Sequence, residues 1–298
     1  MESYGSAEYC ATLSHLGVPV SFDRAGGAML SRTIDSSCLT DLTGPYPWAG
    51  FSDWSSVGAE LDAITGPVTA TVVVAPTSDV DDDVLVEQFP DHLVDFKLHF
   101  LVDLTADHAT SRSATHRRKV RRSRPELSVS ALEPTPVIAD RWVELYHHLG
   151  ERHAITGGAA FSDDGLRAQL VHPDCRCFGA FVGDELVGMV SFMTSGAVAA
   201  YHLGAYAQSG YALEAAYAIF PVAFDVLAAE GVELVNLGGG AGLSVEEGDG
   251  LARFKRGWST HTGVARVAGR ILDPEAFDRL SSSSETTFWP PYRAGRSR

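Results

Sequence analysis

The chain has 298 residues, 45% of them apolar and 20% charged, a balance that belongs to a folded protein with a sizeable core and excludes extensive disorder. Its net charge of −15 argues against a protein that coats nucleic acid, although the charge is unevenly spread. Cys10, Cys38, Cys175 and Cys177 lack the spacing of a disulfide framework, and the first twenty residues lack a basic start followed by a long apolar run. A reducing, cytoplasmic location is expected from both.

In chain order, Ala7 to Leu16 has weak helical character and stops at Gly17. Gly27 to Ile34 alternates like a strand, and Asp53 to Ile64 places Val57, Leu61 and Ile64 on one side of an amphipathic helix. Between them, residues 44–51 (GPYPWAGF) form a turn-rich segment with three aromatics. It either plugs a core edge or lines a pocket, and Tyr46 and Trp48 are its candidates for the second role. Val68 to Ala75 predicts a buried strand. Asp79 to Asp83 reads as a solvated acidic loop in preference to an Asp-x-Asp metal pair. Val94 to Leu104 predicts another strand, with Phe96, Leu98 and Phe100 on one face.

A basic ridge follows. Between Arg112 and Arg124 lie seven Lys or Arg and no acid. Two readings stand: a solvated linker helix, or a contact for phosphates such as those of a tRNA acceptor arm, where attraction needs no sequence readout. Pro125, a short strand from Leu127 to Leu132, then Pro134 and Pro136 mark the boundary between halves.

Beyond it a helix runs from Val137 toward His153, followed by a break at Gly157-Gly158, and a second runs from Asp163, whose side chain can cap it, to Val171. Cys177 to Val182, Glu185 to Thr194 and Ala197 to Ala205 predict an antiparallel meander, with Gly183-Asp184 as its clearest hairpin signal. Tyr211 to Ala229 contains Glu214, Pro221 and Asp225, so a buried helix explains it better than a membrane span. A strand from Val232 to Leu237 then opens into Gly238, Gly239 and Gly240, and after an acidic loop Leu251, Phe254 and Lys255 return at helical spacing. Glycine suits a place where another molecule approaches the main chain, and Lys255, flanked by Arg253 and Arg256, can hold a positive charge beside it.

Other constellations fail. Gly238-x-Gly240 lacks the third glycine of a dinucleotide fingerprint, no Lys-Ser/Thr follows to make a triphosphate loop, and no Gly-x-Ser-x-Gly elbow occurs. His172, Cys175 and Cys177, with His147, His148 or His153, make a poor zinc set because C-x-C spacing suits one tetrahedral ion badly; no metal is expected. His202 would lie on the opposite face of its strand from Tyr201, as a core or surface histidine.

The order of elements in residues 137–270 resembles the GNAT acyltransferase fold, and more specifically the Fem-type aminoacyltransferases, which are built from two GNAT-like halves. The likeness is carried by residues 113–123 (SATHRRKVRRS), 201–205 (YHLGA), 236–240 (NLGGG), 250–258 (GLARFKRGW) and 288–293 (FWPPYR). It implies an α/β protein of two GNAT-like domains, each a mixed, mostly antiparallel sheet flanked by helices. Residues 1–125 would form the first, with the basic junction at 112–124; residues 126–280 the second, with the catalytic cleft; and residues 281–298 a tail returning to the first.

Fem-type enzymes take an amino acid esterified to tRNA and form an amide on a peptide precursor, in wall synthesis or peptide-antibiotic pathways, with no cofactor beyond the charged tRNA. By this resemblance Lys255 would stabilise the tetrahedral intermediate or hold the donor's terminal phosphate, Phe254 would pack beside it, and Tyr201 would donate a hydrogen bond into the cleft. Asn236, Gly238, Gly239, Gly240, Tyr46 and Trp48 would line the cleft, and Arg117, Arg118, Lys119, Arg121 and Arg122 would contact tRNA. The acceptor would be a small peptide or carrier-bound precursor, and the protein a monomer that does not insert into membranes. The alternative is an acyl-CoA- or acyl-carrier-dependent N-acyltransferase. It is weakened by residues 208–213 (QSGYAL), where the pyrophosphate-wrapping turn of such enzymes would have a second glycine.

Overall fold

A computed structural model describes residues 3–34, 37–122, 126–241, 249–282 and 286–294. Arg124 of the basic ridge, Pro125 and the acidic loop residues 242–248 lie outside the described residues. Along the chain come α1 (Ala7–Ala11), β1 (Val18–Phe22), β2 (Gly27–Thr33), β3 (Thr40–Thr43), α2 (Val57–Ala63), β4 (Pro67–Val74), α3 (Asp82–Gln88) and β5 (His92–Asp103). Next are α4 (His108–Ser111), α5 (Ala114–Arg121), β6 (Leu127–Leu132), α6 (Pro136–His153), α7 (Asp163–Leu170), β7 (Cys175–Val182), β8 (Glu185–Ser195) and β9 (Val198–Tyr206). The chain closes with α8 (Gln208–Ala212), α9 (Ala215–Ala229), β10 (Leu234–Asn236), α10 (Gly250–Arg256), β11 (His261–Ile271) and α11 (Pro274–Ser281).

Two compact units form, and they are interleaved. Met1–Phe96, Thr156–Gly165 and Val264–Arg298 make one; Lys97–Ile155 and Leu166–Gly263 make the other. This differs from a linear split at 125/126, which falls inside the second unit. The reason is that β5 and β11 each pass from one unit into the other, so neither unit is a continuous stretch of chain.

In the first unit the strands run β1-β2-β3-β4-β11, antiparallel except for β3 with β4. Sequence patterning does not find β1, an edge strand carrying Pro19, or the four-residue β3. Phe22, Met29, Phe51, Trp54, Leu61, Val72 and Phe89 build its core. The acidic run is a helix start: Asp82 and Asp83 occupy the first turn of α3, where the dipole favours carboxylates. The tail belongs to this unit, with Arg293 Nε 2.8 Å from the buried carboxylate of Asp41 and Tyr292 Oη 2.6 Å from Thr69 Oγ1.

In the second unit the strands run β5-β10-β9-β8-β7-β6, and only β10 with β9 is parallel. The pattern locates β6 and α6 closely; Thr135 caps α6 by accepting from the Ile138 amide, with Pro136 at the first helical position. At α7 the predicted cap is corrected: Ser162 Oγ, not Asp163, accepts from the Gly165 amide at 3.1 Å. The predicted helix from Tyr211 to Ala229 is two helices, α8 and α9, broken at Glu214, whose φ of 57° is left-handed. Helix α9 buries Ile219, Phe220, Phe224 and Leu227 in a core shared with Phe178, Phe192, Val235 and Trp258. No helix among the described residues is long and apolar enough to cross a membrane.

Candidate active site

The site is built where β10 ends. This strand has three residues, paired to β9 in parallel register from Leu234↔Val198 to Asn236↔Ala200. Past Ala200, β9 continues to Tyr206, but the chain after Asn236 stays with β5 instead: Leu237 N donates to Phe100 O at 2.8 Å and Phe100 N to Gly238 O at 3.1 Å. The ladder between β10 and β9 therefore ends at Asn236, and the glycine run forms the lip beyond it.

Lys255 sits against that lip. It is 7% exposed, and its Nζ donates to the Gly239 carbonyl at 2.7 Å while lying 5.5 Å from the centre of the Tyr201 ring. Burial first, and then the charge of Lys97, pull its pKa down from the ordinary lysine value to about 7, with Asp249 acting in the opposite direction. Gly238 has φ 72°, so its conformation calls for glycine; a Cβ there would be in ordinary contact with Lys255 Nζ at 3.4 Å. At Gly239 a Cβ would fall 2.6 Å from Cε of Lys97, whose aliphatic stem crosses that residue.

Three further side chains fix the lip. Asn236, fully buried, accepts from the Gly238 amide through Oδ1 at 2.8 Å and is hydrogen-bonded to the ring of His99. His99 is held neutral: burial, then Lys255 and Lys97, pull its pKa down to about 4 against the Asn236 bond. The Asp249 carboxylate caps α10 through the amides of Leu251 at 2.8 Å and Ala252 at 3.1 Å, and takes the Ala241 amide at 2.7 Å, joining the end of the glycine run to the start of α10. Burial alone would raise its pKa; the amides of Ala252, Ala241 and Leu251 and the charge of Lys97 lower it on balance.

The far end of α10 is held by α5. His116, 4% exposed, contacts Ser113 Oγ through Nδ1 at 2.9 Å and the Phe254 carbonyl through Nε2 at 2.9 Å. A carbonyl only accepts, so Nε2 carries the proton. The ridge on this helix divides. Lys119 is committed to Glu214 at 2.8 Å and lies over the Tyr217 ring, Arg117 folds back onto the carbonyls of Thr110 and Arg112, and Arg112 is buried over Trp258. Arg118, Arg121 and Arg122 are exposed.

Sequence reasoning thus finds Lys255, Phe254, Tyr201, Asn236 and the three glycines, and the structure brings them together, with two changes of detail. Tyr201 offers the face of its ring to Lys255, while its hydroxyl lies back over Gly204 of its own strand. Phe254 turns its ring into the aromatic core, 5.1 Å from Phe220 and 5.4 Å from Tyr217. Trp48 is corrected outright: it is 3% exposed and packs edge-on against Tyr4 in the first unit's core, as a plug. Tyr46 in the same unit packs against Phe161. His202 is a buried histidine 3.0 Å from Gln169. Cys175 and Cys177 have their sulfurs 3.6 Å apart, and no cluster of three metal-ligating side chains occurs among the described residues.

Lys97, His99, Asp249 and His116 are the residues that sequence reasoning missed. Two of them carried a signal, since Lys97 and His99 alternate with Phe96, Leu98 and Phe100 along one strand.

Residues 110–256 match the acetyltransferase (GNAT) domain family. Among solved structures the chain is similar to FemX, with a TM-score of 0.68 at 13% identity over 93% of this chain and 94% of that one. The protein is an acyltransferase: it carries a GNAT domain in a chain with the FemX fold. The acyltransferase is also similar to L-PGS from Bacillus licheniformis, with a TM-score of 0.60 and 14% identity over 90% of this chain and 92% of that one. A third likeness is to the C-terminal domain of an Agrobacterium fabrum protein described as a putative lysylphosphatidylglycerol synthetase, with a TM-score of 0.62 and 17% identity over 89% and 88% of the two chains. No curated protein sequence matches the acyltransferase.

Proposed function

We propose that this acyltransferase moves an aminoacyl group from the ester of charged tRNA to the amine of a small peptide or carrier-bound acceptor, forming an amide, as in assembly of a peptide antibiotic or a wall precursor. The observation that carries the reading is the buried ammonium of Lys255, held 2.7 Å from the Gly239 carbonyl just past the end of the β10–β9 ladder. One of its three N–H donors is used by that carbonyl, which leaves donors for a developing oxyanion.

The acceptor nitrogen attacks the ester carbonyl carbon and the carbonyl oxygen takes up negative charge beside Lys255. The carbon–oxygen bond to the ribose then breaks, the amide carbonyl re-forms, and the ribose oxygen leaves as a hydroxyl with the proton the amine gives up. An amine attacking an ester needs positioning and an oxyanion partner more than a strong base.

Two features favour tRNA over CoA as donor. The exposed Arg118, Arg121 and Arg122 follow Ser113 and His116, which join α5 to α10, and so carry phosphate-attracting charge near Lys255 in the fold. At the start of α9, where a CoA pyrophosphate would meet helix amides, the Glu214 carboxylate stands instead, neutralised by Lys119 at 2.8 Å. The nearby Gly210 is accounted for by packing, since a Cβ there would strike the Val187 carbonyl. Charged tRNA would make the reaction cytoplasmic, and a single copy suffices.

The test is incubation with a mixture of charged tRNAs and candidate peptides, followed by mass spectrometry. A peptide extended by one amino acid, absent after RNase treatment, is expected. Transfer from acyl-CoA with none from charged tRNA would overturn the reading.

A further inference from the structure

Lys255 is one of two lysines on the same glycine. Lys97, from β5, crosses Gly239 so closely that a Cβ there would lie 2.6 Å from its Cε, and Lys255 donates to the carbonyl of that residue at 2.7 Å. Both are partly or fully withdrawn from water, and each feels the Asp249 carboxylate. The oxygens of Asp249 are already engaged by the amides of Ala241, Leu251 and Ala252. The neighbouring His99 is neutral at physiological pH. Two lysine side chains are thus gathered at one glycine, each drawn toward its neutral form by burial, and an arriving anion would restore the charge on both.

We infer that Lys97 and Lys255 together form a binding site for one phosphodiester anion at Gly239. Under the reading above, on which this rests, that anion is the last phosphodiester of the charged tRNA. Lys97 takes the phosphate oxygens, and Lys255 stays within reach of both the phosphate and the adjoining ester. The two side chains come from different elements, β5 and α10, and can each meet one of the two non-bridging oxygens of a phosphodiester.

The experiment uses the whole chain and two probes. Cytidylyl-(3′,5′)-adenosine carries the phosphodiester, and puromycin carries the aminoacyl-adenosine portion without it. Calorimetry of Lys97→Met should show binding of the dinucleotide weakened about tenfold, as for loss of one charge-assisted hydrogen bond. Puromycin should be unaffected, and Lys97→Arg should retain most of the dinucleotide affinity. In the unaltered protein with lysine labelled at 13Cε, the dinucleotide should shift the Lys97 resonance, a readout that stands even if Lys97→Met does not fold.

Equal dinucleotide affinity in Lys97→Met, equal loss of both probes, or no shift at Lys97 would each overturn the site. Unchanged kcat/KM from charged tRNA in a folded Lys97→Met would overturn it too, while leaving the aminoacyltransferase reading intact. If no transfer from charged tRNA occurs at all, that reading fails, and the two probes still decide whether Lys97 binds a phosphodiester.

Discussion

The Nε2 atom of His116 lies 2.9 Å from the carbonyl oxygen of Phe254, so a single imidazole from the basic helix holds the residue that precedes Lys255. The C-terminal end of α10 is packed around that ring: at Gly257 a Cβ would run into it.

His116→Ala should therefore take one of two donors from the Phe254 carbonyl, leaving the Gly257 amide at 3.2 Å, and empty a buried ring site, at about 1–3 kcal/mol of stability. Gly257→Ala should destabilise comparably by forcing the same ring aside. Urea unfolding of both variants measures this. Loss of transfer activity beyond the unfolded fraction would show that α10 is positioned through His116.

Lys255→Met has an expected outcome of opposite sign for stability and activity. With its folded pKa at about 7, below the ordinary lysine value, folding favours the neutral amine. The stability associated with Lys255 is present above the unfolded pKa and is lost as pH falls toward about 7. Removing the buried amine should thus raise the unfolding free energy at pH 7 by about 1–3 kcal/mol, while transfer drops by about a hundredfold or more. A variant that is less stable and still active would show that Lys255 is only a packing residue.

Acid should weaken the fold through two histidines before most carboxylates titrate. His99 and His202 have folded pKa values of about 4 and about 3, both pulled down chiefly by burial. The folded state prefers them neutral, so their stability is complete above the ordinary value of about 6.5 and drains as pH falls from there toward those values. Each histidine can contribute about 3 kcal/mol over that window. Unfolding free energies at pH 7, 6, 5 and 4.5 should fall with a slope that His202→Gln makes shallower.

Replacing Arg118, Arg121 and Arg122 with glutamine should raise the KM for charged tRNA and leave thermal stability unchanged, since all three are exposed. The salt dependence of tRNA binding should flatten by up to about 0.8 in log–log slope for each phosphate that is no longer neutralised. Lys119→Gln is the contrast: it breaks the ion pair with Glu214 and should alter the start of α9. An unchanged salt slope in the triple variant would remove α5 from the tRNA-binding surface.

Gly238→Ala should cost about 1–2 kcal/mol, because φ 72° is left-handed, while the new methyl would make only ordinary contact with Lys255 Nζ at 3.4 Å. Thermal melting gives the stability, and single-turnover transfer should be unchanged in the folded fraction.

The parts of this molecule that were legible in the sequence are those fixed by local rules. Helix α6 has its threonine cap and first-position proline, and β6 and the meander have period-two patterning; the glycine run marks a close approach to the main chain, but by Lys97 and Lys255, and Gly238 and Gly239 are buried where exposure is expected from the sequence. What was not legible depends on distant partners. Glu214 breaks an apolar helix at a place where composition gives no glycine or proline. Trp48 and Tyr201 are both aromatics near suspected surfaces, and only packing against Tyr4 or opposite Lys255 tells plug from site. Lys97 lies far from Gly239 in sequence, and a cation on a strand declares its purpose only when its neighbours are known.

Because Val74 of β4 pairs with Arg266 of β11, the sheet of the first unit is finished by chain synthesised after everything in the second. During translation the outer edge of β4 waits with open main-chain groups, the kind of edge that invites association between nascent copies. A product truncated at residue 263 should accordingly be recovered in the insoluble fraction, and splitting the gene between the two units should yield no smaller working enzyme.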